Sequence, residues 1–304
     1  MKISIVSPVY KSAPMLPELI QRLVTVLEPI TKNFEIVLVD DGSPDDSWNV
    51  ILAEHKKDAR IKGIKFCRNF GQHHALTAGL DVAQGEWVVT MDSDLQDLPE
   101  EIPRLYEKAL EGFDVVLARR GKRKDSWLKR VCNWGFYKIF NYLSGMRYDR
   151  EVGGFRIVSQ KVVHTFRQMR EQHRFMNGLM EWMGFSTASI NVKHAARPAG
   201  ESSYNFRKLF VFAVDIITSY SNRPLRLSIG LGFFMALISF VIGIYYLVHA
   251  LLYGSTVSGW SSLIVSLYFL SGVIMMVLGV IGLYLGKIFT ELKGRPIYIV
   301  SETT

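Results

Sequence analysis

Cysteine is scarce in this chain of 304 residues, which has only Cys67 and Cys132. The two form no spacing motif, and reduced cytosolic thiols are the expectation. Internal repeats and low-complexity tracts are absent too. Charge is missing over one long stretch: 60 residues between Arg226 and Lys287 contain no Asp, Glu, Lys or Arg. A uniform 21% charged content would put about a dozen there, so a membrane segment is expected. The N-terminal apolar run Ile3–Val6 is cut by Pro8. It is too short for a signal-peptide core, so nothing is expected to direct the N-terminus across a membrane.

What is present is apolar and basic. Hydrophobic residues make up 49% of the chain and the mean hydropathy is +0.14. Disorder is excluded by that content, and the average is slightly too apolar for an ordinary soluble enzyme. The length suits one or two domains. A net charge of +8 suits nucleic acid, an anionic membrane surface or a phosphorylated substrate.

Residues 1–118 alternate between two patterns. Runs rich in Ile and Val lie at Ile3–Val9, Phe34–Val39, Ile61–Cys67, Trp87–Met91 and Val115–Ala118. Such runs read as strands buried on both faces of a parallel sheet. Helical stretches separate them, at Met15–Leu27, Ser47–Lys57, His74–Ala83 and Pro99–Glu111. The rhythm predicts a doubly wound, mostly parallel α/β sheet, which binds ligands at the carboxyl ends of its strands.

Five strand ends then read as one site. They carry Pro8 and Tyr10; Asp40, Asp41, Gly42 and Ser43; Arg68 and Asn69; Asp92, Ser93 and Asp94; and Arg119 and Arg120. Acids, amides and arginines along one edge point to a polyanionic ligand with a metal ion. Asp92 and Asp94 can grip a divalent cation that also holds phosphate oxygens; the bland reading is a solvated turn. Asp97, with Pro99 and Glu100 following it, reads as a helix cap. Asp41 can accept from a ribose hydroxyl or a base N–H, or its loop can simply lead into a helix capped by Asp45 or Asp46. Arg119–Arg130 holds seven basic residues and one acid. Aromatic interleaving there is thin, which disfavours nucleic acid, and phosphate binding near the bilayer is the reading. His73-His74 reads as packing or surface, because adjacent helical residues face different ways.

Residues 119–205 are less regular, with helical stretches at Leu128–Leu143 and Lys161–Arg170. Tyr204–Tyr220 is amphipathic, and it suits either the membrane interface or an ordinary core-facing helix. Two spans follow, Leu227–Tyr253 and Ser261–Gly286, each about 40 Å long at 1.5 Å per residue. Arg207, Lys208, Arg223 and Arg226 precede them; Lys287, Lys293 and Arg295 follow. The positive-inside rule puts both termini in the cytoplasm. The expected organisation is a cytosolic domain 1–203, a juxtamembrane segment 204–226, two transmembrane helices in 227–286, and a cytosolic tail 287–304.

The segments Ser7-Pro8-Val9-Tyr10, Asp40-Asp41-Gly42-Ser43, Asn69-Phe70-Gly71 and Asp92–Asp97 resemble the inverting GT-A glycosyltransferases of family two. With Gly153-Gly154-Phe155-Arg156, Arg197–Ser202 and two C-terminal spans, the resemblance narrows. The narrower group is the polyprenyl-phosphate glycosyltransferases, which includes bactoprenol glucosyltransferases and dolichol-phosphate mannose synthases. It covers essentially the whole chain. It implies transfer of a sugar, UDP-glucose being the favoured donor, to undecaprenyl phosphate at the cytosolic face of a bacterial inner membrane. The lipid-linked sugar would serve lipopolysaccharide or other surface-glycan modification.

By this resemblance Pro8, Tyr10, Val39, Asp41, Asp92, Ser93, Arg120 and Arg197 hold the nucleotide-sugar. Asp92 and Asp94 hold Mg²⁺ or Mn²⁺, and Asp94, Arg120 and Arg130 are catalytic. Implied partners are membrane lipids, further copies of the chain, a flippase and a downstream glycosyltransferase, with no nucleic acid. Two departures stand out: relatives often have Asp where this chain has Gly154, and Lys where it has Ser203. A chain-extending glycan synthase is a nearby alternative, but its usual Gln-x-x-Arg-Trp motif is absent. A non-catalytic nucleotide-sugar-binding partner of a flippase is the alternative from another class; the intact Asp92-x-Asp94 pair argues against it, while Gly154 and Ser203 leave it open.

Overall fold

The computed structural model describes residues 2–120, 138–145, 151–195, 214–215, 217–253 and 259–304. Arg130, Arg197, Ser203 and most of the amphipathic stretch 204–220 lie outside the described residues.

The first 120 residues form β1 (Ile3–Val9), α1 (Leu16–Leu27), β2 (Phe34–Asp40), α2 (Ser47–Lys57), β3 (Ile61–Phe66), α3 (Gln72–Val82), β4 (Trp87–Thr90), a 3₁₀ turn at Pro99–Glu101, α4 (Ile102–Leu110) and β5 (Val115–Arg120). Every residue of β1 and β2 is buried, as expected of strands covered on both faces. Helix α1 shows how the helices pack. Leu16, Leu19, Ile20, Leu23 and Leu27 are its buried residues, spaced to form one apolar stripe. Each such side chain stabilises the fold by about 1.5–3 kcal/mol relative to exposure. Glu35, one of two acids in β2 with Asp40, is fully buried. It accepts from Ser4 Oγ at 2.6 Å and the Gln84 N–H at 2.7 Å, and pairs with Lys62 at 2.6 Å.

The irregular region supplies more regular structure than its pattern suggested. It contains β6 (Val152–Ser159), α5 (Gln160–Gln168), α6 (Met176–Met183) and β7 (Thr187–Val192). After the long helices α7 (Arg223–Tyr253) and α8 (Trp260–Leu292) comes a last strand, β8 (Val300–Thr303). The eight strands form one sheet in the order β7-β5-β6-β4-β1-β2-β3-β8. Strands β4, β1, β2 and β3 are parallel neighbours. Strand β6 wedges antiparallel between β4 and β5, β7 runs parallel to β5, and β8 is antiparallel on β3. The insertion of β6 leaves β5 pointing the same way as β4, so all five expected strand ends share one edge. It also brings the start of β6 to that edge, since Val152 pairs with Arg119 and Arg156 with Thr90.

Two compact units emerge: residues 1–130, 147–203 and 295–304 form one, and 131–146 with 204–294 form the other. The sheet belongs to the first. The tail expected after the second apolar helix therefore ends in a strand of that sheet. In the second unit, α7 and α8 are long and apolar enough to cross a membrane, with segments Arg223–Ile242 and Ser266–Leu292 of mean hydropathy 2.1 and 2.2. Large apolar side chains on them are exposed, among them Phe233, Phe240, Tyr268 and Met275. Lys287 of α8 pairs with Asp215 at 2.8 Å, and the Tyr284 hydroxyl donates to the Ser221 carbonyl at 2.5 Å.

Candidate active site

The strand ends enclose an open cleft of about 340 Å³, lined by residues that include Pro8, Tyr10, Asp41, Asn69, Asp92 and Asp94. Its floor is built by one strand-end loop bonding to the next. The loop after β1 is pinned by side chains of the loop after β2 and of the first residue of α2. Lys11, Ser12 and Ala13 donate their N–H groups to Ser43 Oγ, Ser47 Oγ and Asp45 Oδ2, each at 3.2 Å. Lys11 takes a left-handed backbone, φ +55°, to make that corner. Tyr10 is left 45% exposed at the mouth, with Lys11 Nζ 5.4 Å from its ring centroid.

The loop after β2 turns at Gly42, φ +62°, where a Cβ would lie 2.5 Å from the backbone carbon of Arg68. Only glycine allows both the turn and the approach. Asp41 follows from this contact: its two oxygens accept the N–H groups of Phe70 and Gly71 at 2.7 and 2.9 Å. Burial raises its pKa, and these two donors oppose the rise. Asp41 therefore shapes the third loop while it lines the cleft. Its neighbour Asp40 is fully buried and takes the Ser43 N–H at 2.9 Å.

Asp92, Ser93 and Asp94 follow β4. Ser93 Oγ meets Ser12 Oγ at 3.0 Å, Asp94 Oδ1 accepts the Gln96 N–H at 3.1 Å, and Leu95 is left-handed at φ +59°. A buried leucine in that conformation is costly; here it closes the turn that directs both carboxylates to the cleft. Gln72, the first residue of α3, donates to Asp92 Oδ1 at 2.6 Å. Burial, then Asp97 and Asp94, push the Asp92 carboxyl up to about 7. A carboxylate crowded by two others gains most from a cation, which fits the expected metal role. Among the described residues, no group of three or more His, Cys, Asp or Glu is placed to hold a metal. Two carboxylates suit Mg²⁺ or Mn²⁺ whose remaining positions go to phosphate oxygens and water.

Three expectations change. Asp97 is not a cap: no side chain caps the turn at Pro99. It is 2% exposed, and its carboxylate takes Arg120 at 3.3 Å and the Asp92 N–H at 3.4 Å. Charge compensation beneath the site outweighed the local capping pattern. Val39 lies inside the core, one residue short of the edge, with its side chain against α3; Val9 lines the cleft instead. Arg120 is not among the residues lining the cleft. Its guanidinium lies over Gly153, where a Cβ would stand 2.8 Å from its terminal nitrogen. Its Nε is buried without a partner.

Gly154 sits beside Asp92: a Cβ there would lie 3.3 Å from Asp92 Oδ1. Arg156, 1% exposed, fixes this Gly-Gly pair from below, donating to the Gly153 carbonyl at 2.8 Å and to Asn177 Oδ1 at 2.6 Å. Ser12 and Gln72 also line the cleft, and neither was read from the sequence. Gln72 stands at the first position of the helix after the third loop, which is the signal that marks it.

A mixed, mostly parallel sheet with its carboxylates at the edge beside the β4 end is the GT-A type of glycosyltransferase fold. Residues 4–170 match the model of glycosyl transferase family 2. The chain belongs to this family and is a glycosyltransferase. It is 38% identical over 301 residues to the uncharacterized glycosyltransferase YkcC of Bacillus subtilis (strain 168), covering 99% of this chain and 93% of that protein. It is 40% identical over 304 residues to the bactoprenol glucosyl transferase of Shigella phage SfII, covering 100% and 98%. Among solved structures, S. aureus TarS 1-349, crystallised with UDP-GlcNAc, has the same fold. The TM-score is 0.51 at 19% identity, over 72% of this chain and 66% of that one.

Proposed function

We propose that the chain transfers a monosaccharide from a nucleotide-sugar, UDP-glucose in the first instance, to undecaprenyl phosphate, with inversion at the anomeric carbon. One combination carries the reading. A cleft presenting Asp92 and Asp94 at the strand ends shares its chain with apolar helices of 31 and 33 residues. The first suits a diphosphate donor, and the second suits an acceptor that never leaves the bilayer. Full-length similarity to a bactoprenol glucosyl transferase supports the same acceptor.

In this reading Pro8, Tyr10 and Asp41 hold the nucleotide, and Asp92 and Asp94 hold Mg²⁺ or Mn²⁺, which when bound neutralises the leaving diphosphate. Arg130 and Arg197 are assigned to acceptor and donor phosphates, and Arg120, paired with the buried Asp97, supports the site from outside the cleft lining. A phosphate oxygen of the lipid attacks the anomeric carbon. The bond from that carbon to the diphosphate breaks, and its electron pair leaves with the nucleoside diphosphate. A monoalkyl phosphate has a second pKa of about 6, so its attacking oxygen carries no proton at cytosolic pH. Gly154 in place of a base is therefore no obstacle; in-line positioning and charge stabilisation do the catalysis.

Helices α7 and α8 serve as the membrane anchor, both flanks cytoplasmic. Residues 295–304 rejoin the compact unit that holds the N-terminus, which supports an even number of crossings. The test is a donor panel of UDP-glucose, UDP-GlcNAc, UDP-galactose and GDP-mannose with purified protein, undecaprenyl phosphate and Mn²⁺. Lipid-linked sugar should form from one donor far faster than from the others. Donor hydrolysis without a lipid product would overturn the acceptor assignment.

A further inference from the structure

We propose that Tyr298, from the segment that follows α8, is a positioning residue for the nucleotide donor. It acts through the loop Asn69–Gly71, and the inference rests on the donor reading of the cleft. Asn69 and Gly71 line that cleft, and the loop joins β3 to α3. Tyr298 grips the chain on both sides of the loop. Its ring stacks on Phe66, the last residue of β3, with centroids 5.1 Å apart and planes 13° from parallel. Phe66 in turn meets the ring of Phe70 edge-on at 5.6 Å. On the other side the Tyr298 hydroxyl donates to Asp81 Oδ2 of α3 at 2.7 Å, a carboxylate that Arg170 also holds at 2.9 Å. Helix α3 begins at Gln72, the residue bonded to Asp92.

Three rings therefore run from the C-terminal segment to the residue whose N–H Asp41 receives. Asp41 fixes the loop from the cleft side, and the Tyr298–Phe66–Phe70 stack fixes it from behind. Burial and the Asp81 carboxylate push the Tyr298 phenol up to about 12, so it stays a donor at any working pH. The flanking chain sets the register of this contact: the Cys67 N–H donates to the Ile299 carbonyl at 3.2 Å. Glu302 accepts from Trp48 Nε1 at 3.0 Å and pairs with Lys65 at 2.7 Å. Those Glu302 contacts lie along β8, away from the loop, and provide the control.

The experiment uses the full-length protein in detergent. It measures calorimetric binding of UDP and of GDP with Mn²⁺, separate KM values for donor and acceptor, and melting temperature. Tyr298→Leu keeps apolar volume for folding but removes the ring. It should weaken nucleotide binding and raise donor KM by about 3- to 10-fold, the worth of an aromatic pair, with acceptor KM unchanged. Tyr298→Phe keeps the stack and should restore most of the affinity. Glu302→Ala should lower the melting temperature without changing nucleotide affinity. The inference is overturned if Tyr298→Leu leaves nucleotide affinity at wild type, or if Glu302→Ala weakens it as much. A wild type that binds neither nucleotide removes the donor reading itself.

Discussion

Individual residues at this site do two jobs, and the second is the one a sequence hides. Asp41 lines the cleft and also holds the Phe70 and Gly71 N–H groups. Asp97, which local pattern marks as a cap, is the buried counter-charge of Arg120. Both second roles depend on which strands become neighbours, and no local spacing encodes that. Asp92 and Asp94 were legible because the apolar run before them ends so sharply. If Asp92 and Asp94 hold a cation as proposed, Asp92→Asn or Asp94→Asn should each remove most transfer activity by deleting a hard oxygen ligand, and EDTA should do the same by removing the ion; undiminished turnover in EDTA would refute the metal role. Arg130→Ala should raise acceptor KM by roughly 10- to 150-fold, the worth of a charge-assisted phosphate contact of about 1.5–3 kcal/mol. Loss of nucleotide binding with unchanged acceptor KM would move Arg130 to the donor side.

His73 gives a residue-level prediction about stability. Burial, then the charges of Arg156, His74 and Arg174, lower its pKa from 6.5 to about 4; its ring lies edge-on to Phe175. Between pH 6.5 and 4 the unfolded chain binds a proton there that the folded chain refuses. Folding stability should therefore fall as pH drops through that window, by up to ~1.4 kcal/mol per unit. Denaturant midpoints at pH 7 and pH 5 should diverge less in His73→Leu than in the wild type, and equal divergence would contradict the assignment.

At the scale of elements, the parallel half of the sheet announces itself. Strands β1 and β2 are buried at every residue, so their apolar runs are long, and helix α1 carries a clean stripe. Strands β6, β7 and β8 do not: β7 alternates exposed and half-buried residues up to its last position, and every residue of β8 is exposed. Antiparallel or edge strands bury less, so their composition signals less. Helix α1 tests the packing directly. Leu23 is fully buried in it, and Leu23→Ala should cost about 2–5 kcal/mol, read as a lowered denaturant midpoint with no change in donor KM.

For the whole molecule, chain connectivity and chemistry converge. The chain leaves the first compact unit before α7 and rejoins it after α8, the connectivity that the proposed hairpin anchor and lipid-phosphate acceptor require. A reporter fused after Thr304 should read cytoplasmic and a tag between Ser255 and Ser258 external; an external C-terminus would contradict two crossings. The central proposal, sugar transfer to a polyprenyl phosphate, is tested most directly by incubating the purified full-length enzyme with radiolabelled UDP-glucose, Mn²⁺ and undecaprenyl phosphate. The organic phase is then counted. Label should enter it only when undecaprenyl phosphate is present, in proportion to that lipid, and not with Asp94→Asn. Label that stays in water whatever donor is supplied, from an enzyme that binds nucleotide normally, would contradict the proposal.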